Sequence, residues 1–411
     1  MSSGTESVDR GPPRRVASDG RMSWQYRHTV LSLCMLAFLV TYFARLAISP
    51  VVPLIVDDFA VSNTAIGVAL SGMWLAYGAA QFPSGVLADR YGERLVILVA
   101  VGGTAAMSVV LALAPVFPAF VLAAVCLGLV AGLHYAVATT LLSRTFDDIG
   151  TAFGLHSAGG PIAGLVAPVA AAWVGFRYGW RPAVALAALV GAPVFLLFAW
   201  RVRPTEPRRP DQPMRERFAL APLVELLSRP SVLLPLFVAM TGTYVVQGVM
   251  SFLPTFLVEF RGYSPAFAAS VFSAFFVVRA VAQVGLGRLS DSVGRDAAIG
   301  AAMLAGAVGT AAFVLGPGLV GVAVAVLLAG SGASFFSAID PRFMDALGDA
   351  ERGAGFGLAR TVYTVIGSAG SFGVGLAADL FGWGVSFAIL AVLFGVTFAV
   401  LAANWALGTG Y

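Results

Sequence analysis

The sequence contains no lysine; all 25 of its basic residues are arginine. They are spread along polar segments between apolar runs, so the net charge of +4 builds no concentrated basic face, and nucleic acid is excluded as a partner. Charge of either sign is scarce, at 11% of residues against roughly 25% in soluble domains. The hydrophobic share is 59% and mean hydropathy +0.88, more apolar surface than a soluble globule of this size can hide. The two cysteines, Cys34 and Cys126, lie inside apolar runs, which excludes a disulfide scaffold and points to free thiols. No metal site and no cofactor is expected. The absence of a catalytic constellation argues against an enzyme, and the absence of a phosphate-cradling glycine loop against nucleotide-driven pumping. The first 27 residues hold five arginines, two prolines and no apolar core, so they read as a disordered cytoplasmic tail and not as a cleavable signal peptide.

Long apolar runs are what the chain has in abundance. About 20 apolar residues make a helix that crosses roughly 30 Å of hydrocarbon. Twelve such spans are expected, at 29–56, 64–88, 94–115, 117–143, 152–175, 181–201, 231–257, 264–288, 296–315, 318–340, 353–376 and 383–404. The fold class is therefore an all-α membrane protein of twelve transmembrane helices, numbered here spans 1 to 12. The 47 glycines recur at close spacing within spans, as in Gly128/Gly132 and Gly160/Gly164, which predicts tight helix packing.

Arginine placement sets an orientation. With the N-terminus inside, nineteen of the 25 arginines fall on cytoplasmic segments and three, Arg177, Arg181 and Arg261, on outer loops. This asymmetry puts both termini in the cytoplasm of a prokaryote, with the bilayer of its plasma membrane as the partner of the spans. The expected organisation is a tail at 1–27, a six-helix bundle at 28–201, a proline- and arginine-rich linker with a short surface helix at 202–230, a second bundle at 231–404, and a short cytoplasmic end at 405–411.

The chain also matches itself. At a shift of 202 residues Gly85, Leu87, Asp89 and Gly92 fall on Gly287, Leu289, Asp291 and Gly294, while Thr41, Tyr42 and Ser49 fall on Thr243, Tyr244 and Ser251. At 203, Phe153-Gly154-Leu155 falls on Phe356-Gly357-Leu358. Six spans per copy keeps both copies in one orientation, related by an axis along the membrane normal.

The loop GVLADRYGERL at 85–95 resembles the signature loop of the major facilitator superfamily, and GRLSDSVGRD at 287–296 looks like its second copy. The resemblance covers about residues 28–404. It implies two pseudo-symmetric six-helix bundles, a cavity lined mainly by spans 1, 4, 7 and 10, and alternating access by rocking of the bundles. A gating role is expected for Gly85, Asp89, Gly92, Arg94 and Arg144 and, in the second copy, Gly287, Asp291, Gly294 and Arg295. Gly85 and Gly92 would permit close packing and a tight turn; Asp89 would pair with a cation such as Arg144 or with the positive end of span 11. The chain departs from the proton-coupled pattern in span 4, where Gly128 stands at the place of an arginine. It departs again in span 5, where the glycine-proline pattern is reduced to Gly160-Pro161 with Gly164. The coupling ion, proton or sodium, and the direction of transport stay open.

Arg45 lies seventeen residues after His28 and twelve before Asp57, with no other charge between. On a continuous helix Thr41, Tyr42, Arg45 and Ser49 share a face, and span 7 repeats the stripe as Thr243, Tyr244, Gln247 and Ser251. Lipid offers such a stripe no partner, so it is expected to face a polar cavity. A guanidinium at that depth costs at least about 2.5–3.5 kcal/mol on insertion scales, which points to function. Three readings stand: an anion ligand, a structural pair with a buried carboxylate (Asp340 above all), or a side chain snorkelling about 18 Å to the surface. Arg279 and Arg360 either face the pathway or reach the inner interface. His134, Tyr135 and His156 are further candidate substrate or proton sites, and Phe335 and Phe336 candidate cavity walls. The basic first span looks like those of the anion-handling branches, although the second basic residue that some of them carry is here Gln247.

The expected function is a secondary transporter, a monomer, that moves a small organic or inorganic anion, with efflux of a drug-like solute as the alternative. A non-transporting sensor would need a relay domain, and the sequence shows none.

Overall fold

The computed structural model describes residues 26–146, 149–208, 229–347 and 352–407, with side chains from 355 in the last segment. The N-terminal tail up to residue 25, the surface helix expected in the linker and the last four residues lie outside the described residues. Twelve helices are long and apolar enough to cross a membrane: Tyr26–Phe59, Asn63–Tyr91, Glu93–Ala112, Phe117–Thr145, Ile149–Tyr178, Trp180–Arg201, Ser231–Glu259, Pro265–Val293, Arg295–Leu315, Gly318–Ala346, Gly355–Phe381 and Trp383–Leu407. They correspond one to one to the expected spans, and most run a few residues further. Helix ends persist past the apolar run because the backbone bonds internally whatever its side chains meet.

Local sequence explains the ends. Ser62 accepts a hydrogen bond from the Ala65 amide at the start of span 2, and Ser264, 202 residues on, accepts one from Phe267 at the start of span 8. Gly92 and Gly294 turn the chain between spans 2 and 3 and spans 8 and 9 at φ +84° and +98°, where a Cβ would be strained.

Five spans are interrupted. Span 1 runs as a helix to Leu46, turns, passes through a 3-10 segment at Ser49–Val51 and resumes at Val52–Phe59. Pro50 and Pro53 lie here and cannot donate to a preceding carbonyl. Spans 4 and 10 break at Leu133 and at Ala333–Phe335, spans 5 and 11 at Ala158 and Ser368. All five breaks sit at mid-span beside the space between the bundles, where irregular backbone is tolerated.

The duplication predicted by the 202-residue match is present in three dimensions. The indole of Trp180 donates to Asp58 at 3.1 Å and that of Trp383 to Glu259 at 2.7 Å, equivalent pairs in the two copies. An ion pair joins Arg144 to Glu93 at 2.7 Å, and its counterpart joins Asp345 to Arg295 at 3.2 Å with the charges exchanged.

Both described chain ends lie on the face that carries Arg90, Arg94, Arg144, Arg288 and Arg295, called here the arginine-rich face. At the opposite face the bundles meet. Ser49 donates to the carbonyl of Ser251, its own repeat equivalent, at 2.8 Å, and Ser251 shares a hydrogen bond with Ser371 at 2.6 Å. Asp379 on span 11 accepts from the amides of Asn63 and Thr64 at 3.2 and 2.7 Å and from their side chains at 3.1 and 2.6 Å, so one carboxylate caps the start of span 2.

Candidate functional site

Between the bundles lies a cavity of about 250 Å³. It continues toward the arginine-rich face into a wider vestibule of about 1280 Å³, with which it shares Gln81, Tyr135, Asp340 and Arg360. The opposite face is shut by the serine and Asp379 contacts, so the cavity opens on one side.

Span 1 brings Arg45 to the cavity wall in its last helical turn before the break. The side chain is 2% exposed, its Nε donates to the Thr41 carbonyl at 3.0 Å, and its guanidinium carbon lies 3.9 to 4.8 Å from the ring centroids of Tyr77, Trp74 and Tyr42. Such a box favours a planar cation. Nη1 and Nη2 have no hydrogen-bond partner. Of the three readings of Arg45, the pair with Asp340 is not observed: Asp340 accepts from the Tyr363 hydroxyl at 3.2 Å and lies within the electrostatic reach of Arg360.

Arg279 and Arg360 both line the cavity, and Arg360 also lines the vestibule. Arg279 lies over Phe336 at 5.6 Å and against the sulfur of Met250 at 3.8 Å; Arg360 lies over Tyr135 at 4.9 Å. Gln247 and Thr243 line the wall from span 7, and Gln247 Oε1 and Thr243 Oγ1 have no partner.

Several expectations are corrected. Ser49 is not in the cavity, because the break after Leu46 turns it off the helical stripe and into the closing contact with Ser251. Tyr244 is also outside it, packed on span 11, where a Cβ on Gly370 or Gly373 would collide with it. His134 and His156 are fully buried behind Phe38, with ring centroids 5.4 Å apart. Their ring nitrogens have no polar side-chain partner, and the backbone of Cys34 lies against both rings. Tyr135 and Phe336 do line the wall, whereas Phe335 packs on Gly242.

The wall also draws on spans 2, 5, 8 and 11 as much as on 1, 4, 7 and 10. Sequence reasoning missed Trp74, Tyr77 and Gln81 on span 2 and Tyr363 on span 11. Their signal was a run of amphipathic side chains at helical spacing, which in a chain this rich in aromatics does not stand out. Gly128 lies against the Met73 carbonyl of span 2, where any side chain would collide, so no arginine fits at that place.

The gating set sits at the open face. Arg94 donates to the Val202 and Ala199 carbonyls at 2.7 and 2.6 Å, holding span 3 to the end of span 6. Arg144 bonds Glu93 and not the expected Asp89, and Arg295 bonds Asp291, Asp345 and Ser290. None of these bonds joins one bundle to the other. Gly92 lies against Thr205 of the linker, but Gly85 and Gly287 touch nothing within 4 Å of a would-be Cβ, so the close packing expected of them is not made while this face is open.

Comparison with known proteins follows the same architecture. A sequence profile of the Major Facilitator Superfamily matches residues 34–371 and 261–408. The chain belongs to that superfamily. It is 25% identical over 246 residues to the hexuronate transporter of Bacillus subtilis (strain 168), which is 57% of each chain. Against the membrane sensor protein UhpC of Escherichia coli (strain K12) it is 24% identical over 45% of this chain and 42% of that one. Against the multidrug resistance protein MdtG of Citrobacter koseri the identity is 28%, over 68% and 70%. The match to the first two relatives thus spans only about half of their length. Among solved structures, the nucleoside transporter NupG superposes with a TM-score of 0.80 at 15% identity, over 92% of this chain and 99% of that one, which shows the shared fold.

Proposed function

We propose that this superfamily member is a secondary transporter that carries a small organic anion across the plasma membrane of a prokaryote by alternating access. The observation that carries the reading is the cavity wall. Three guanidinium groups, Arg45, Arg279 and Arg360, face it against one carboxylate, and Arg45 presents two unbonded nitrogens from a buried position. Guanidinium stays charged and grips a carboxylate or sulfonate with two parallel hydrogen bonds. Three polar amides, Gln81, Gln247 and Gln283, suit a hydroxylated body behind the acid group. With the arginine-rich face toward the cytoplasm, the cavity opens inward and the Asp379 clamp is the shut outer gate.

A second reading, export of an apolar or cationic solute, draws on the aromatic share of the wall and on the multidrug relative. One experiment separates the two. Purified protein is heated with glucuronate, galacturonate, sulfoacetate and a set of drug-like cations, and the series is repeated on Arg45→Gln. Stabilisation by an acid that is lost in the variant supports anion transport. Stabilisation by cations or apolar compounds alone, kept in the variant, supports export. A sensor, as one relative is named, predicts binding without flux in proteoliposomes.

A further inference from the structure

Ser71 on span 2 bonds twice to the backbone of span 11. Its hydroxyl donates to the Ser368 carbonyl at 2.7 Å and accepts from the Phe372 amide at 2.8 Å. In a continuous helix that amide and that carbonyl, four residues apart, would bond each other. Here the Ser368 carbonyl instead takes a longer backbone bond from the Ser371 amide, at 3.4 Å, and span 11 breaks at this point. A side chain inserted into the helical ladder is one of the few causes of a sharp kink. Span 5 gives the contrast, because across its break at Ala158 the Ile162 amide still reaches the Ala158 carbonyl at 3.1 Å. Ser273, 202 residues after Ser71, lies buried on span 8 with its hydroxyl unpartnered, so the insertion is made in one copy of the repeat and not in the other.

The break divides span 11 by task. Its Arg352–Gly367 segment brings Arg360, Tyr363 and Thr364 to the cavity wall, and its Ala369–Phe381 segment brings Asp379 to the start of span 2. Span 2 lies along both segments. A Cβ on Gly67 would come within 2.7 Å of the Ser371 carbonyl, and one on Gly78 within 2.8 Å of the Thr364 side chain. Gly67, Ser71 and Gly78 therefore present one helical face to span 11, with the serine at the joint.

Resting on the anion reading above, we propose that Ser71 is a positioning residue for the anion site: its hydroxyl keeps span 11 bent, and the bend aims Arg360 and Tyr363 into the cavity while the opposite face is shut. Ser71 belongs to the first bundle and span 11 to the second, so the rocking that opens that face withdraws the hydroxyl. The Phe372 amide and the Ser368 carbonyl then stand at mid-span without their partner, and the bond open to them is the helical one to each other. Making it closes the turn, straightens span 11 and swings the segment that carries Arg360 against the rest of its bundle. The grip of Arg360 on an acid group is thereby tied to the closure of the far face. By linkage the tie runs both ways, and an anion held by Arg360 favours the bent span and the shut face.

The test is calorimetry of glucuronate binding to the full-length protein, arranged as two double-mutant cycles. Ser71→Ala should weaken binding about threefold to tenfold, and Ser71→Thr, which keeps the hydroxyl, should recover most of that loss. Combined with Arg360→Lys, Ser71→Ala should cost little more than Arg360→Lys alone, because the serine acts through that arginine. Combined with Arg45→Lys, on a span that the joint does not move, the two losses should multiply. A role in packing alone would give the same coupling in both cycles. Unchanged affinity in Ser71→Ala, equal coupling to the two arginines, or a Ser71→Thr as weak as Ser71→Ala would each overturn the assignment and leave the anion reading standing. Failure of the native protein to bind any acid in the thermal screen overturns both.

Discussion

Arg45 shows how one side chain meets two demands. A buried guanidinium must be stabilised when no substrate is present, yet its terminal nitrogens must stay free. Three ring faces supply the first without using the donors needed for the second. Lysine carries the same charge but cannot lie flat between rings or offer a fork. Arg45→Lys should therefore weaken anion binding by about tenfold or more, roughly 1.4 kcal/mol, measured by calorimetry on the folded variant. The buried histidines predict the reverse. Two buried imidazoles with no polar partner beyond the Cys34 backbone are a burden on the fold, so His134→Phe should leave the melting temperature unchanged or raised, with anion affinity within about threefold. A fall of affinity to that of Arg45→Gln would place the pair in the binding site after all.

Spans that line the cavity and spans that do not have different work here. Spans 3, 6, 9 and 12 are uninterrupted, contribute nothing to the cavity wall and carry exposed apolar residues such as Leu95, Leu196, Leu304 and Val392. Spans 1, 4, 5, 10 and 11 break beside the cavity, and the break decides which side chains arrive there. Close packing of spans 2 and 4 depends on glycine at 128 and 132, facing the Met73 and Tyr77 carbonyls. Gly128→Leu should push the two spans apart at the level of Trp74 and Tyr77 and disturb the box around Arg45. The expected loss is about 1–3 kcal/mol of stability, read as a lowered melting temperature in detergent, with weakened anion binding. In the last turn of span 2, Asp89→Asn should slow turnover more than it weakens binding if this turn helps close the open face; an unchanged turnover rate would end that role.

For the molecule as a whole, the cavity is open toward the arginine-rich face and closed at the opposite one. None of the bonds that Arg94, Arg144 and Arg295 make among the described residues joins the two bundles, while the bonds of Ser49, Ser251, Ser71 and Asp379 cross between spans of the two bundles or brace those that do. The crossing bonds must break before the opposite face can open. Asp379→Asn removes the charge that binds both Asn63 and Thr64, so it should shift the population toward opening on that face. Spin labels at Val61 and Phe381 should then report a longer distance component that the native protein lacks; an unchanged distribution would show that the serine contacts alone hold the face shut.

Much of this was legible before any coordinates. Run length and composition decide membrane residence, because hydrocarbon leaves the backbone no choice but helix, and a self-match at 202 residues decides the two-bundle plan. Arg45 and Gln247 could be assigned to a cavity because polar groups in lipid need one. What only the tertiary structure decided was which neighbours each helical face meets. The break after Leu46 moved Ser49 from the cavity to the contact with Ser251, and on span 7, whose Thr243 and Gln247 do face the cavity, Tyr244 packs on Gly370 and Gly373 of span 11. Trp74, Tyr77 and Tyr363 joined the wall, and Glu93–Arg144 proved to be the counterpart of Arg295–Asp345 with charges exchanged. Spacing along one helix reports that helix's own faces; which face meets a partner depends on kinks and rotations set by packing, and an ion pair keeps its place in the fold when its two signs are swapped.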